Sequence, residues 1–449
     1  MRVMKWSMIA LAVAAAASTQ VATAAPFVSD QAEAKGFVED AKFDVLLRNY
    51  YFNRDKKNTT SNDQKDWTQG FLSNFSSGYT QGTVGVGVDA FGYLGIKLDG
   101  GDGTTGSGNT SLDSQGHAHD SLGKAGAAIK ARISKTELKF GEFQPSTAPV
   151  FAVGGSRLIP QTATGFQLQS SEIQNLDLEA GHFYSASSQD EMNSSGELHS
   201  QYSSTSDDPV TGKTMDFAGG KYGITDNLSV SLYGSKFKDI WNQYYSNVNL
   251  TTPISGDTSL NTDFNIYRTT DTGDSKAGDI SNTTFSLATA LSFLKAHTVT
   301  LAFQKVNGDT PFDYVGVGDN NRGGDSIFLA NSIQYSDFNG PNEKSAQIRY
   351  DLKMAEYGVP GLSFMARYVK GWDIDGDKMA ADSPYRSYGY GEDGKHHETN
   401  LEAKYVVQSG PAKDLSFRVR QAFHRGNTDQ AEGDVNEFRL IVDYPLSIL

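Results

Sequence analysis

Near its C-terminus the chain reads DLSFRVRQAFHRG, residues 414–426. Arg418 and Arg420 stand two positions apart, and His424 shares their parity. In a strand, residues two apart project from the same face. Two neighbouring guanidiniums offer forked N–H donors that match the two oxygens of a carboxylate. The chemistry such a pair can do is anion attraction rather than bond making. Leu415, Phe417, Val419 and Phe423 fall on the opposite parity. This segment therefore asks for water and anions on one side and an apolar medium on the other.

Strands able to carry such residues recur along the chain. FDVLLRNYYF (43–52) puts Phe43, Val45, Leu47 and Tyr51 on one face, with Asp44 and Arg48 on the other. The same period-two pattern, which marks a half-buried strand, runs through AAIKARISK and ELKFGEF (127–143), HTVTLAFQKV (297–306) and SAQIRYDLKM (345–354). It continues in LSFMARYVKG (362–371), NLEAKYVVQ (400–408) and NEFRLIVDYPLSIL (436–449). KYGITDNLSVSLYGSKF (221–237) reads as a hairpin turning at Thr225-Asp226-Asn227, and TVGVGVDAFGYLGIKLDG (83–100) as two strands around Phe91-Gly92. Parity places Arg48, Arg349, Arg367, Lys404 and Arg439 with Arg418 and Arg420, opposite the oily faces. Short turns such as GPAKD (410–414) alternate with long polar stretches, 186–214 and 373–399. Their Asp, Asn, Gly and Ser residues supply turn conformations.

Composition narrows the setting. A chain of 449 residues with net charge −14 does not present a nucleic-acid-binding surface. There is no cysteine, so neither disulfides nor thiolate metal sites are available. Arg2 and Lys5 precede the apolar run MIALAVAAAA (8–17) and an A-x-A site at Ala22-Thr23-Ala24. That is the layout of a secretory signal peptide, residues 1–24, and its removal takes the net charge to −16. Residues 25–449 then form one unit. No later stretch approaches the roughly 18 apolar residues of a spanning helix. Strands of about 9–11 residues can still cross a membrane as a closed barrel.

An outer-membrane β-barrel satisfies these demands together. An arginine facing lipid at the bilayer midplane costs about 2–4 kcal/mol, whereas one lining a watery lumen avoids that cost. Arg418 and Arg420 are therefore expected to line a pore while Phe417 and Val419 face lipid. Segment counting gives about 16–18 strands in an all-β, antiparallel transmembrane barrel. A soluble sandwich of this length would need several domains, and no Pro/Ser-rich linker or fixed-period repeat is present.

PSTAPVFAVGGSRLIPQTATGFQLQSSE (145–172) resembles the constriction loop of the OprD family of substrate-specific outer-membrane porins. The resemblance extends along nearly the whole chain, through LLRNYYFNRD (46–55), RISKTELKFGE (132–142), GGDSIFLANSIQYSDFNGP (323–341) and YGEDGKHHETNLEAKYVVQSGPAKDLSFR (390–418). It implies 18 strands, an inward-folded constriction loop, and passive uptake of small carboxylate-bearing solutes such as basic amino acids and small peptides. Carbapenem antibiotics would enter by the same route. It also implies a basic ladder at Arg48, Arg54, Arg157, Lys404, Arg418, Arg420, Arg425 and Arg439. The facing wall of the eyelet would be Tyr202, Tyr314, Asp325, Ser332, Tyr335 and Asp337. The partners implied are solutes and outer-membrane lipid, in a monomer or weak homotrimer, with no cofactor.

A serine hydrolase is the alternative function. The family resemblance assigns its triad to His182, Asp239 and Ser326, which would have to meet in hydrogen-bond contact beside an oxyanion hole. No G-x-S-x-G elbow surrounds Ser326. No metal site is expected. WDIDGDKMAAD (372–382) has its glycine at the fourth position from Asp373, where an EF-hand loop needs it at the sixth. His396-His397 are adjacent and lack ligand spacing.

Overall fold

A computed structural model of the chain describes residues 26–449 except 60, 101–103 and 206. The expected leader, residues 1–24, lies outside the described residues. Barrel strands β1 to β6 are Lys42–Lys57, Gln64–Ser76, Val84–Asp99, Ser121–Ile133, Thr136–Phe143 and Thr162–Ile173. Strands β7 to β12 are Leu176–Ser187, Met215–Thr225, Leu228–Phe237, Trp241–Ser255, Thr258–Asp271 and Ser281–Phe293. Strands β13 to β18 are His297–Asn307, Lys344–Lys353, Leu362–Ile374, Gly394–Val406, Ser416–Gly426 and Asp434–Ser447.

All eighteen join in one antiparallel sheet. Each pairs with its chain neighbours, and β1 pairs with β18, with Arg48 opposite Asp443 and Arg54 opposite Glu437. That last pairing closes the barrel and removes both sheet edges. The expected all-β, 18-stranded architecture is the one found. Among the described residues no helix is long and apolar enough to cross a membrane.

The alternation in the sequence becomes an inside and an outside. On β17, Phe417, Val419 and Phe423 are 38–42% exposed, whereas Ala422 and His424 are 0% exposed. Leu232, Ile129, Leu301, Ile348 and Leu401 are likewise exposed on other strands. A band of outward aliphatic and aromatic residues suits hydrocarbon rather than water. Connections alternate between short turns at one rim, such as 134–135 and 226–227, and longer loops at the other. In outer-membrane barrels the short-turn rim is periplasmic and the long loops are extracellular.

The 83–100 segment departs from the expected hairpin. It is one strand, β3, because Gly92 pairs with Ser73 on β2 and Ala125 on β4, with the register continuous through it on both sides. The turn of the 221–237 hairpin falls at Asp226-Asn227, as expected.

Three long connections fold into the lumen. Residues 188–214 and 308–343 contribute short segments to a small sheet of their own, in which Leu198–Ser200 pairs with Val315–Val317. The 144–161 loop buries Val150, Phe151 and Val153 against inward residues Phe183 and Phe217. Its far end buries Leu158 and Ile159 against Tyr50, Phe52, Leu72, Tyr93 and Leu122 of β1 to β4. Gly70 and Gly95 stand opposite one another in register. A Cβ at Gly95 would sit 2.8 Å from Leu158 Cδ2, and one at Gly70 3.0 Å from Leu158 Cδ1. The paired glycines leave the notch that this loop occupies.

Candidate functional site: a two-walled eyelet

One wall is built by β1, β16, β17 and β18, the strands around the barrel seam. Their inward parity carries Arg48 and Arg54, Lys404, Arg418 and Arg420, and Arg439. Arg420 lies directly opposite Arg439, and Lys404 opposite Arg418. Like charges directly across a ladder are destabilising, so acids are interleaved. Arg48 forms a forked pair with Asp443 at 2.8 and 3.0 Å. Glu437 lies 2.5 Å from Arg54 and 2.6 Å from Arg439. Glu402 takes Arg418 at 2.8 Å and Arg420 at 3.3 Å. The Lys404 side chain has no hydrogen bond or ion pair among the described residues.

The constriction loop adds a further cation. Arg157 Nε donates to the Ser107 carbonyl at 2.7 Å, and its guanidinium lies 5.1 Å from the Phe52 ring centre. It has no acidic ion-pair partner among the described residues. Burial, with Arg439 and Arg54 close by, holds its pKa down to about 9. The loop itself is tied to the wall, since Arg48 Nη1 donates to the Arg157 carbonyl at 3.0 Å. Seven cations thus share this wall with three paired acids, leaving an excess of positive charge aimed at the lumen.

The 308–343 connection carries most of the other wall. Tyr202 and Tyr314 each donate a hydroxyl to Asp337 Oδ2 at 2.7 Å, and Ser332 donates to Oδ1 at 2.6 Å. Three hydroxyls fix the orientation of this carboxylate. Asp325 is exposed, and its backbone N–H donates to the Ala152 carbonyl of the constriction loop at 2.9 Å. Gln161 Nε2 also donates to the carbonyls of Arg322 and Gly323, at 3.3 and 3.1 Å. Neither Asp325 nor Asp337 forms an ion pair among the described residues. Tyr335 bridges the walls, its ring 4.8 Å beneath the Arg54 guanidinium. The barrel thus carries basic groups on the strands around its seam and acidic groups on its inward loops, with the 144–161 loop bonded to both.

A family model for the OprD family of outer-membrane porins matches residues 35–448. The chain belongs to the OprD family. The porin is 67% identical over 452 residues to Porin D of Pseudomonas aeruginosa, covering all of both chains. It is 35% identical to Porin-like protein GalP of Pseudomonas putida, over 93% of this chain and 95% of that one. The crystal structure of Pseudomonas aeruginosa OprD superposes with a TM-score of 0.83, at 64% identity, covering 94% of this porin and all of that chain. Pseudomonas aeruginosa OpdK, solved with vanillate, gives 0.80 at 35% identity, covering 92% and 100%. This porin is accordingly an outer-membrane, substrate-specific porin through which small solutes pass.

Two groups of expected site residues are placed differently. Arg425 is on the parity opposite Arg420 and His424. It bonds Asn436 Oδ1 and the carbonyls of His424 and Val435, all at 2.7–2.8 Å. It belongs to the outer side of the extracellular rim, not the inner row. The hydrolase triad is not assembled. His182 is on the outer face of β7 and bonds Asp216 at 2.6 Å. Asp239 sits with φ 63° in the turn between β9 and β10. Ser326 is fully buried in the 308–343 loop, its hydroxyl without a partner among the described residues. None of the three touches another. Parity in the sequence puts Asp443 on the face of Arg439, whereas Glu402 and Glu437 are not singled out by it. Their signal is register: each stands directly opposite an arginine of the neighbouring strand, Glu402 opposite Arg420, Glu437 opposite Arg54 and Asp443 opposite Arg48.

Proposed function

We propose that the porin conducts small molecules that carry a carboxylate at one end and a cationic group at the other, above all basic amino acids and small peptides. The carrying observation is the pair of opposed walls, one with surplus cations and one with two carboxylates that lack ion-pair partners. A carboxylate moves from one cation to the next along β17, β18 and β1, while an amine or guanidinium is drawn to Asp325 and Asp337. Fixed Glu402, Glu437 and Asp443 keep Arg48, Arg54, Arg418, Arg420 and Arg439 partly occupied, so binding there stays weak enough for release. Carbapenems, which share the carboxylate, would follow the same ladder. Each chain closes its own barrel and holds its own eyelet, so a monomer suffices; mass measurement in detergent would distinguish this from a weak homotrimer.

Liposome swelling with arginine and agmatine tests the reading, because agmatine is arginine without its carboxylate. Arginine should enter severalfold faster. Arg420→Ala should lower arginine entry about tenfold and leave agmatine entry nearly unchanged. Equal rates for the two solutes in the wild type would defeat it.

A further inference from the structure

His396 and His424 meet inside the barrel at its long-loop end. His396 is the third residue of β16 and His424 the ninth of β17. They are 3% and 0% exposed, and neither belongs to the basic ladder. His396 Nδ1 lies 2.8 Å from His424 Nε2. Glu432, in the β17–β18 connection, places Oε2 3.9 Å from the first nitrogen and 3.7 Å from the second. These three donor atoms lie within 4.8 Å of one another. Around a tetrahedral ion, two imidazole nitrogens and a carboxylate oxygen at about 2.0–2.2 Å stand roughly 3.3–3.6 Å apart. The observed triangle brackets those edges and reaches them with shifts of about half an ångström.

The far ring nitrogens support the same reading. His396 Nε2 lies 2.6 Å from Glu343 Oε1. His424 Nδ1 donates to the Gly433 carbonyl at 2.7 Å. A carboxylate and a backbone carbonyl are the acceptors that orient metal-bound imidazoles and fix their tautomers. Phe338 stacks on His396 at 4.1 Å and Tyr335 lies 4.9 Å from His424, holding both ring planes. The two facing ring nitrogens and the Glu432 carboxylate oxygen are thereby held as one compact triangle.

Proton bookkeeping is consistent. His424 Nδ1–H serves Gly433, so the proton in the contact between the rings belongs to His396 Nδ1, and Glu343 donates to His396 Nε2. A divalent ion replaces the proton between the rings. The Glu343 proton passes to His396 Nε2, the proton between the rings is released together with the one carried by the Glu432 carboxyl, and the two carboxylates balance the ion's charge.

We propose that His396, His424 and Glu432 bind one divalent transition-metal ion of the zinc class, with a fourth position open to water. Two imidazoles among three donors favour zinc, copper, nickel or cobalt over magnesium and calcium. Sequence inspection misses the site because His397 points to the other side of β16, and the true partner comes from the next strand. Tyr335 donates its hydroxyl to the Glu432 carbonyl at 2.6 Å, and Glu343 ends the loop that carries Asp337. The ion would pin the acidic eyelet wall to the barrel.

The experiment uses the full porin in detergent, stripped with EDTA and titrated with zinc and, for its visible spectrum, with cobalt. One ion per chain is expected, with zinc displacing cobalt and a hundredfold excess of magnesium failing to do so. His424→Ala and Glu432→Ala should each weaken zinc binding at least tenfold. Glu343→Gln, which removes only an orienting group, should weaken it roughly ten- to a hundredfold. Single-channel conductance of each variant establishes that the barrel is closed. A conducting wild type that takes up no stoichiometric zinc at micromolar concentration overturns the proposal. So do variants that conduct and bind zinc as tightly as wild type, or magnesium binding equal to zinc.

Discussion

Asp337 is held by three hydroxyl groups, and that geometry shapes what its loss should do. Asp337→Asn keeps the side-chain shape but removes the charge. It should slow arginine entry far more than entry of norvaline, whose tail is uncharged. A lost charge partner in a partly desolvated site is worth about 1.5–3 kcal/mol, or roughly ten- to a hundredfold, reduced where salt and water screen it. Equal losses for both solutes would mean that the acidic wall only narrows the pore. Asp313 offers a second reading at the same scale. Ser200, Tyr385 and the amides of Tyr202 and Tyr314 all donate to it. Burial pushes its carboxyl up to about 6. A raised folded-state value means the protonated form is favoured in the fold. Its stabilisation is complete below about pH 4 and is lost as pH rises through about 6. Between pH 5 and 7.5 the loss is about 1 kcal/mol. Loop closures seen as brief blockades should therefore become severalfold more frequent at pH 7.5, and this dependence should vanish in Asp313→Asn. An unchanged pH profile in that variant would assign the effect elsewhere.

Among the elements, the constriction loop depends on the glycine notch. Gly95→Val would place branched carbons where Leu158 now sits. The expected result is a displaced loop, a larger single-channel conductance and a smaller difference between arginine and agmatine rates. Unaltered conductance would show that Leu158 has room to move aside. Strands with oil on one face were readable from sequence, and so was the inward aim of Arg418, Arg420 and Arg439. Strands such as β10 and β11 were much less so. Their inner face is an amide network in which Asn247 and Asn249 both bond Asp263 Oδ1 at 2.8 Å. Polar residues on that face, with Thr and Ser spread along both, dilute the period-two contrast. The meeting of Tyr202, Tyr314 and Asp337 was also beyond parity, since it is created by loops that fold inward and pair with each other.

The whole molecule presents its apolar surface outward and its charges inward, the reverse of a soluble protein. Leu401 lies near the middle of β16 and is 48% exposed. Leu401→Arg should cost about 2–4 kcal/mol in folding into vesicles, measured by urea titration, because the new charge faces hydrocarbon. A cost below about 0.5 kcal/mol would place that face outside the membrane.

The barrel seam has a temporal meaning as well. Arg48 and Asp443 are 395 residues apart in sequence, and Arg54 and Glu437 are 383 apart, yet each pair faces across β1 and β18. The selective wall is assembled from the first and the last strands to be synthesised. An unfinished or unclosed barrel holds most of the acidic loop wall but has its cations split between two free edges. Discrimination among solutes therefore arrives with closure itself, so the chain acquires a filter only at the moment it ceases to be a leak.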